Sequence, residues 1–177
     1  MDQVKKNIFI NFDDKIYNSY ESIVEVLNKK YKTNKKYSDL KDKNFRSIYK
    51  NITKSEIELL KNSEDYIKNL KLEKDFIHFI EKVKNKYNII INNTKKSDSE
   101  INFLKQNNIN TQKTYENIEK YIVICDESET AIHENCKIKI LFVTNKPWNH
   151  EDLIYGEDIY TSYSWDDVLN LIEYYGE

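Results

Sequence analysis

Asn7-Ile-Phe-Ile-Asn-Phe-Asp-Asp-Lys-Ile-Tyr-Asn-Ser19 decides how the rest of the chain is read. The apolar run Ile8-Phe9-Ile10 stops abruptly at Asn11-Phe12-Asp13-Asp14. A continuous apolar run is the mark of a strand buried on both faces, and the polar residues after it belong at the edge of a sheet. Side chains alternate along an extended segment, so Asn11 and Asp13 share one direction and Asp14 takes the other.

Working outward, Tyr17 to Tyr31 has the spacing of an amphipathic helix on Tyr20, Ile23, Val26, Leu27 and Tyr31, with Ser19 as its cap. From Lys29 to Lys54 the chain turns basic, with ten Lys or Arg against Asp39 and Asp42. Thr53-Lys-Ser-Glu56 is a capping box opening a second helix through Ile57, Leu59 and Leu60. Lys74 to Tyr87 forms a helix on Phe76, Ile77, Ile80 and Val83 and runs into a second strand, Asn88 to Ile91, which ends in Asn92-Asn93-Thr94. Ser97-Asp-Ser-Glu100 starts the next helix, followed by a polar connection. A third strand, Tyr121 to Cys125, ends in Asp126-Glu127-Ser128. Lys137 to Val143 is a fourth, Ile159-Tyr160 marks a short fifth, and Ser164-Trp-Asp-Asp167 caps the closing helix on Val168, Leu169 and Ile172. Strands alternating with helices, each strand stopping in polar residues, predict an open, mostly parallel α/β sheet with its site at the carboxyl edge.

Composition narrows the partners. A net charge of −2 over 177 residues implies neither a nucleic-acid nor a membrane partner. A mean hydropathy of −0.80 coexists with apolar residues in periodic blocks, which argues for a packed fold. With only Gly 2 and Pro 1, asparagine is expected to take over the usual glycine positions. No apolar run approaches membrane-spanning length, and Met1-Asp-Gln-Val-Lys-Lys6 lacks a signal-peptide form, so a reducing cytoplasmic setting is expected. Cys125 and Cys136 make neither a disulfide framework nor a metal spacing, and Cys125 reads as a small buried residue. His78 reads as packing or surface, while His133 and His150 lie in loops without companions at zinc spacing.

Three strand ends converge in such a sheet: Asn11/Asp13, Asn92/Asn93/Thr94 and Asp126. Read alone, these residues are polar strand ends that cap helices. Their order and spacing along almost the whole chain resemble the haloacid-dehalogenase-like phosphatases, and most closely the 5'(3')-deoxyribonucleotidase branch. The first strand matches that family's Asp-x-Asp segment. Tyr66-Ile-Lys-Asn-Leu70 through Asn93 resembles its helix and strand leading to a Thr, Ile122-Val-Ile-Cys-Asp126 its strand ending in paired acids, and Leu141-Phe-Val-Thr-Asn145 with the Trp165 helix its closing elements. The resemblance implies a Rossmann-like core (1–16 and 71–177) with a small helical cap (17–70) inserted after the first strand.

The resemblance also implies a chemistry. One Asp attacks phosphorus, a second serves as acid and base, magnesium neutralises phosphate charge, and a Thr and a Lys hold its oxygens. Carried over residue by residue, the nucleophile position is Asn11 and the acid/base position is Asp13. Phosphate binding falls to Asn93 and Thr94. Magnesium would fall to Asp13 and Asp126, with Asn11 a weak ligand; the first of the paired acids is Cys125. The Lys position has no clear match, with Lys113 and Lys120 as guesses. Several members of one catalytic unit are thus altered together, which implies a phosphatase fold with impaired or lost chemistry. Three functions follow: a non-catalytic protein keeping a nucleotide or small-phosphomonoester pocket, an active Mg-dependent nucleotidase, or a protein-interaction module. The third would use the basic segment, whose Tyr31, Tyr37, Phe45 and Tyr49 either stack on a ligand or pack inward, or the acidic stretch from Glu151 to Glu177.

Overall fold

The computed structural model describes residues 5–13, 15–112, 119–127, 135–144 and 158–176. Among them six strands form one sheet in the order β3-β2-β1-β4-β5-β6. The strands are β1 (Lys6–Asn11), β2 (Tyr87–Asn92), β3 (Asn110–Gln112), β4 (Ile122–Cys125), β5 (Ile138–Phe142) and β6 (Ile159–Ser162). Every neighbouring pair runs parallel. The three-residue β3 falls where the sequence shows only a polar connection. A strand that short leaves no apolar run to read.

β1 lies in the middle, with Ile8 opposite Ile89 on one side and Ile122 on the other. Both faces are covered, so Ile8, Phe9 and Ile10 are all fully buried. From β1 the chain builds outward to β2 and β3, then crosses back over β1 to lay down β4, β5 and β6. The direction of winding therefore reverses between β1 and β4. At such a switch point the connections leave in opposite directions and open a crevice beyond the carboxyl ends of the two strands.

Between β1 and β2 stand α1 (Ser19–Tyr31), α2 (Lys54–Leu60), α3 (Glu64–Asn69) and α4 (Lys74–Val83). α5 (Asp98–Gln106) joins β2 to β3, and α6 (Trp165–Tyr175) closes the chain. Ser97 and Glu100 form the reciprocal box that starts α5, and Ser164 accepts the Asp167 N–H at the start of α6. Only half of the box expected before α2 exists. Thr53 accepts from the Glu56 N–H, but the Glu56 carboxylate turns away to Lys30 and Tyr31. Ser19 does not cap α1 either. Asn18 stands there, its side chain bonded to the Asn69 carbonyl (3.0 Å) and the Lys71 N–H (2.7 Å), which ties the start of α1 to the end of α3.

The buried faces differ in detail from the periodicity. Val24 replaces Val26 in the core of α1, Phe79 replaces Ile77 in α4, and Leu59 of α2 is 76% exposed. Phe45 and Tyr49 of the basic segment are buried, and the Tyr49 hydroxyl donates to Asn28 at 2.8 Å. Tyr31 is exposed, and His78 lies on the exposed side of α4. Asparagine substitutes for glycine less than expected. Of the left-handed residues Lys15, Lys32, Phe45 and Asn108, one is an Asn, and Lys32 ends α1. No helix among the described residues is long and apolar enough to cross a membrane.

Trp165 is the packing centre beneath the switch point. Its ring lies against Phe12, Phe76, Phe79 and Phe142 at centroid distances of 5.9, 4.9, 4.7 and 5.0 Å. Its Nε1 donates to the carbonyl of left-handed Lys15 at 2.8 Å, holding down the loop that leaves β1. Trp165→Ala removes this ring from four neighbours and is expected to cost about 4 kcal/mol in urea unfolding. A loss under 1 kcal/mol would show that the loop is held by something else.

Candidate functional site

The candidate site is built where β1 and β4 end side by side. Asn11 is the ladder partner of Cys125, so the chain continues into Phe12-Asp13 on one strand and Asp126-Glu127 on the other. Phe12 turns into the core against Trp165. Asn11, Asp13, Asp126 and Glu127 all line a cavity of about 750 Å³. Its other wall comes from α1, the 43–45 turn and α2, including Tyr20, Phe45, Lys54 and Lys61.

The end of β2 positions its neighbours through a single amide. Asn92 Oδ1 accepts from both the N–H (3.1 Å) and the Oγ1 (2.7 Å) of Thr94. That arrangement is an Asx turn, and it aims the Asn92 Nδ2 at Asn11 Oδ1, 2.6 Å away. The Asn11 carbonyl oxygen is thereby committed. What Asn11 retains for a ligand in the cavity is its Nδ2, a donor. Asn93, by contrast, is 6% exposed and is not part of the cavity wall. Its N–H donates to Gln112, and its Oδ1 lacks a hydrogen-bond partner among the described residues. Of the two residues expected to bind phosphate, Thr94 lines the cavity and Asn93 does not; Asn92 lines it instead. Asn92 is the next residue in the β1–β2 register after Ile10 and Ile91, which places it beside Asn11.

Lys96 is the residue the sequence reading missed. It follows the turn at Thr94 and immediately precedes the Ser97 cap of α5, so its backbone is held on both sides. Its side chain is 4% exposed, and its ammonium is ion-paired with the Asp13 carboxylate. Burial pushes Lys96 down to about 8, against the attraction of Glu100 and Asp126. Lys120 lies ahead of β4, at the opposite edge of the sheet, with its Nζ 5.7 Å from the Phe9 ring. Lys113, Asp14, His133 and His150 lie outside the described residues. Cys125 is fully buried, with its Sγ 3.9 Å from the Ile140 carbonyl.

A second buried charge holds the far wall in place. Glu100 of α5 is fully buried, and its carboxylate accepts from Tyr66 Oη (2.7 Å) and the Ser97 N–H (2.8 Å). It also pairs with Lys61 at 3.1 Å. Tyr66 in turn meets Ser19 Oγ at 2.9 Å. One carboxylate thus ties α5 to α1, α3 and the end of α2. Burial pushes Glu100 up, but Lys61, the Ser97 N–H and the Tyr66 hydroxyl outweigh it and hold the carboxyl below its ordinary value.

These residues do not form an open magnesium site. Asn11 Oδ1 is bonded to Asn92, and Asp13 is bonded to Lys96. Among the described residues no group of three His, Cys, Asp or Glu is placed to hold a metal ion. Mg²⁺ is held by one or two carboxylates with waters completing its octahedron, and here Asn11 Oδ1 and an Asp13 oxygen are already taken by Asn92 and Lys96.

No family model matches the chain, and no curated protein matches it. Among solved structures, a haloacid-dehalogenase-like family hydrolase from Streptococcus pneumoniae superposes with a TM-score of 0.59 at 14% identity, covering 95% of this chain and 98% of its own. A subfamily IA haloacid-dehalogenase-superfamily hydrolase from Geobacter sulfurreducens gives 0.55 at 10% identity, over 95% and 96%. A phosphatase of the same superfamily from Thermococcus onnurineus gives 0.51 at 12%, over 94% and 97%. The chain therefore has the haloacid-dehalogenase-like fold: a Rossmann-like α/β core with an all-parallel sheet among the described residues. At these identities the likeness concerns the fold.

The Glu100 hub is open to test. Glu100→Gln removes the buried charge that faces half-buried Lys61 and is expected to cost about 3 kcal/mol in urea unfolding at pH 7. Because the folded-state value lies below 4.5, the carboxylate stabilises above that pH and loses its effect as the pH falls through the folded value. The gap between native and variant should accordingly shrink below about pH 4. A gap independent of pH would mean that packing, and not charge, carries the effect.

Proposed function

We propose that this chain is a protein of the 5'(3')-deoxyribonucleotidase type whose hydrolytic chemistry is impaired or lost. In this reading the 17–70 stretch is a cap, and the cavity beneath it takes a nucleotide or another small phosphomonoester. The observation that carries the reading is Asn11. A neutral amide oxygen is a poor nucleophile, and here it already accepts from Asn92. Asp13 occupies the acid/base position, but its carboxylate is taken up by an ion pair with the Lys96 ammonium.

The same features suit binding. Asn11 Nδ2 and Lys96 offer donors at the strand ends, and Lys54 and Lys61 add positive charge on the opposite wall. Tyr20, stacked at 5.5 Å on buried Phe45, gives that wall an aromatic ring for a base. Magnesium has no role in this reading, because Asn11 Oδ1 and an Asp13 oxygen, two of the groups that would hold it, are engaged. A cytoplasmic location fits such a ligand, and a protein partner on the basic cap is compatible with it.

The reading is tested by phosphate release from deoxynucleoside monophosphates and an aryl phosphate, with magnesium, for the native chain and Asn11→Asp. The native chain should not exceed buffer. Asn11→Asp should stay within about tenfold of it, because Asp13 remains paired and loss of one member of a catalytic unit already costs several orders of magnitude. Native turnover above buffer overturns the reading. Binding is tested by melting. A deoxynucleoside monophosphate at a hundredfold excess over its Kd should add about 2.7 kcal/mol, a rise of about 5 to 10 °C for a chain of this size. A flat response across a nucleotide panel counts against the pocket.

A further inference from the structure

We propose that the Lys96 ammonium occupies the cation position of this site, so that the chain supplies internally the positive charge that a divalent ion would otherwise bring. Three observations meet at this point. The ammonium is bonded to Asp13 and lines the same cavity as Asp126, which attracts it. Its side chain is 4% exposed, a depth at which a lysine persists only against a carboxylate partner. The ladder partners that end β1 and β4 at the switch point, Asn11 and Cys125, are both neutral. The described end of β1 and β4 thus carries Asp13, Asp126 and the exposed Glu127, and one fixed ammonium answers much of that charge.

The ammonium and a divalent ion compete for the same oxygens. An ammonium directs three N–H donors at acceptors, and the Asp13 oxygen that takes one is no longer open to coordination. Two cations a few ångströms apart in a half-enclosed site also repel strongly. Lys96 is not readily moved aside. Its own N–H donates to the Asn93 carbonyl at 3.1 Å, and the next residue is the reciprocal cap of α5. Its Nζ also lies 5.9 Å from the Tyr17 ring. An anion entering the cavity would meet this ammonium directly, with no metal between them. That consequence rests on the phosphate-binding reading above, whereas the displacement of the metal does not.

The test follows Mn²⁺ by the resonance of the free ion. Native protein should leave the signal as in buffer. Lys96→Met should bind one Mn²⁺ per chain, and Asp126→Asn placed on that variant should abolish the binding. Specific Mn²⁺ binding by native protein that disappears in Asp126→Asn overturns the proposal, whatever the Lys variants do. So does a Lys96→Met protein that is folded by circular dichroism yet as inert as native; Lys96→Gln serves if Met does not fold. Inorganic phosphate provides the second arm. It should raise the melting temperature of native protein equally in EDTA and in magnesium, and a rise that requires magnesium overturns the proposal. No rise in either condition, together with the expected Mn²⁺ results, counts against the phosphate-binding reading and leaves the role of Lys96 standing.

Discussion

The buried Glu100 carboxylate is the constraint on which the arrangement of this molecule depends. An ionised acid with no solvent exposure is tolerable only if its oxygens are fully engaged, and Tyr66, Lys61 and the Ser97 N–H engage them. Those partners come from separate elements, so satisfying one charge sets the position of α1, α3 and the end of α2 over the sheet. Apolar packing is continuous with it. Residues of the helical stretch such as Ile23, Leu27 and Phe45 belong to the same cluster as Ile8 and Ile10 of β1. Apolar contact holds the stretch down, and the Glu100 hub gives it register.

The cavity inherits its character from that register. α1, α2 and the turn before Phe45 form one wall, and the strand ends form the other. At the strand ends, the Asx turn at Asn92 and the Lys96–Asp13 pair commit the two side chains on which hydrolysis would depend. Both are local hydrogen-bonding solutions.

Much of the fold was legible in the residues. Ile8-Phe9-Ile10 and Ile122-Val123-Ile124 are continuous apolar runs because both faces of the central strands are covered. Ser97/Glu100 and Ser164 announce their helices because capping is a local interaction. Less of the site was legible. The resemblance put the phosphate contact at Asn93, whereas the side chain that meets Asn11 is that of Asn92, the next residue in the β1–β2 register. Lys96 was passed over because nothing in its neighbourhood marks a lysine as buried. Its partner, Asp13, lies 83 residues away. Glu100 was read correctly as a capping residue, but its contacts with Tyr66 and Lys61 join segments distant in the chain.

The sequence by itself determined the parallel α/β architecture, the polar strand ends and the amide at position 11, since these are written in short-range periodicity and residue chemistry. Only the tertiary structure decided what those polar groups face. Which oxygen of Asn11 or Asp13 is engaged, and by which residue, depends on side chains brought together across the switch point between β1 and β4. Charge in a half-buried site is set by such neighbours, and they are neighbours in space alone.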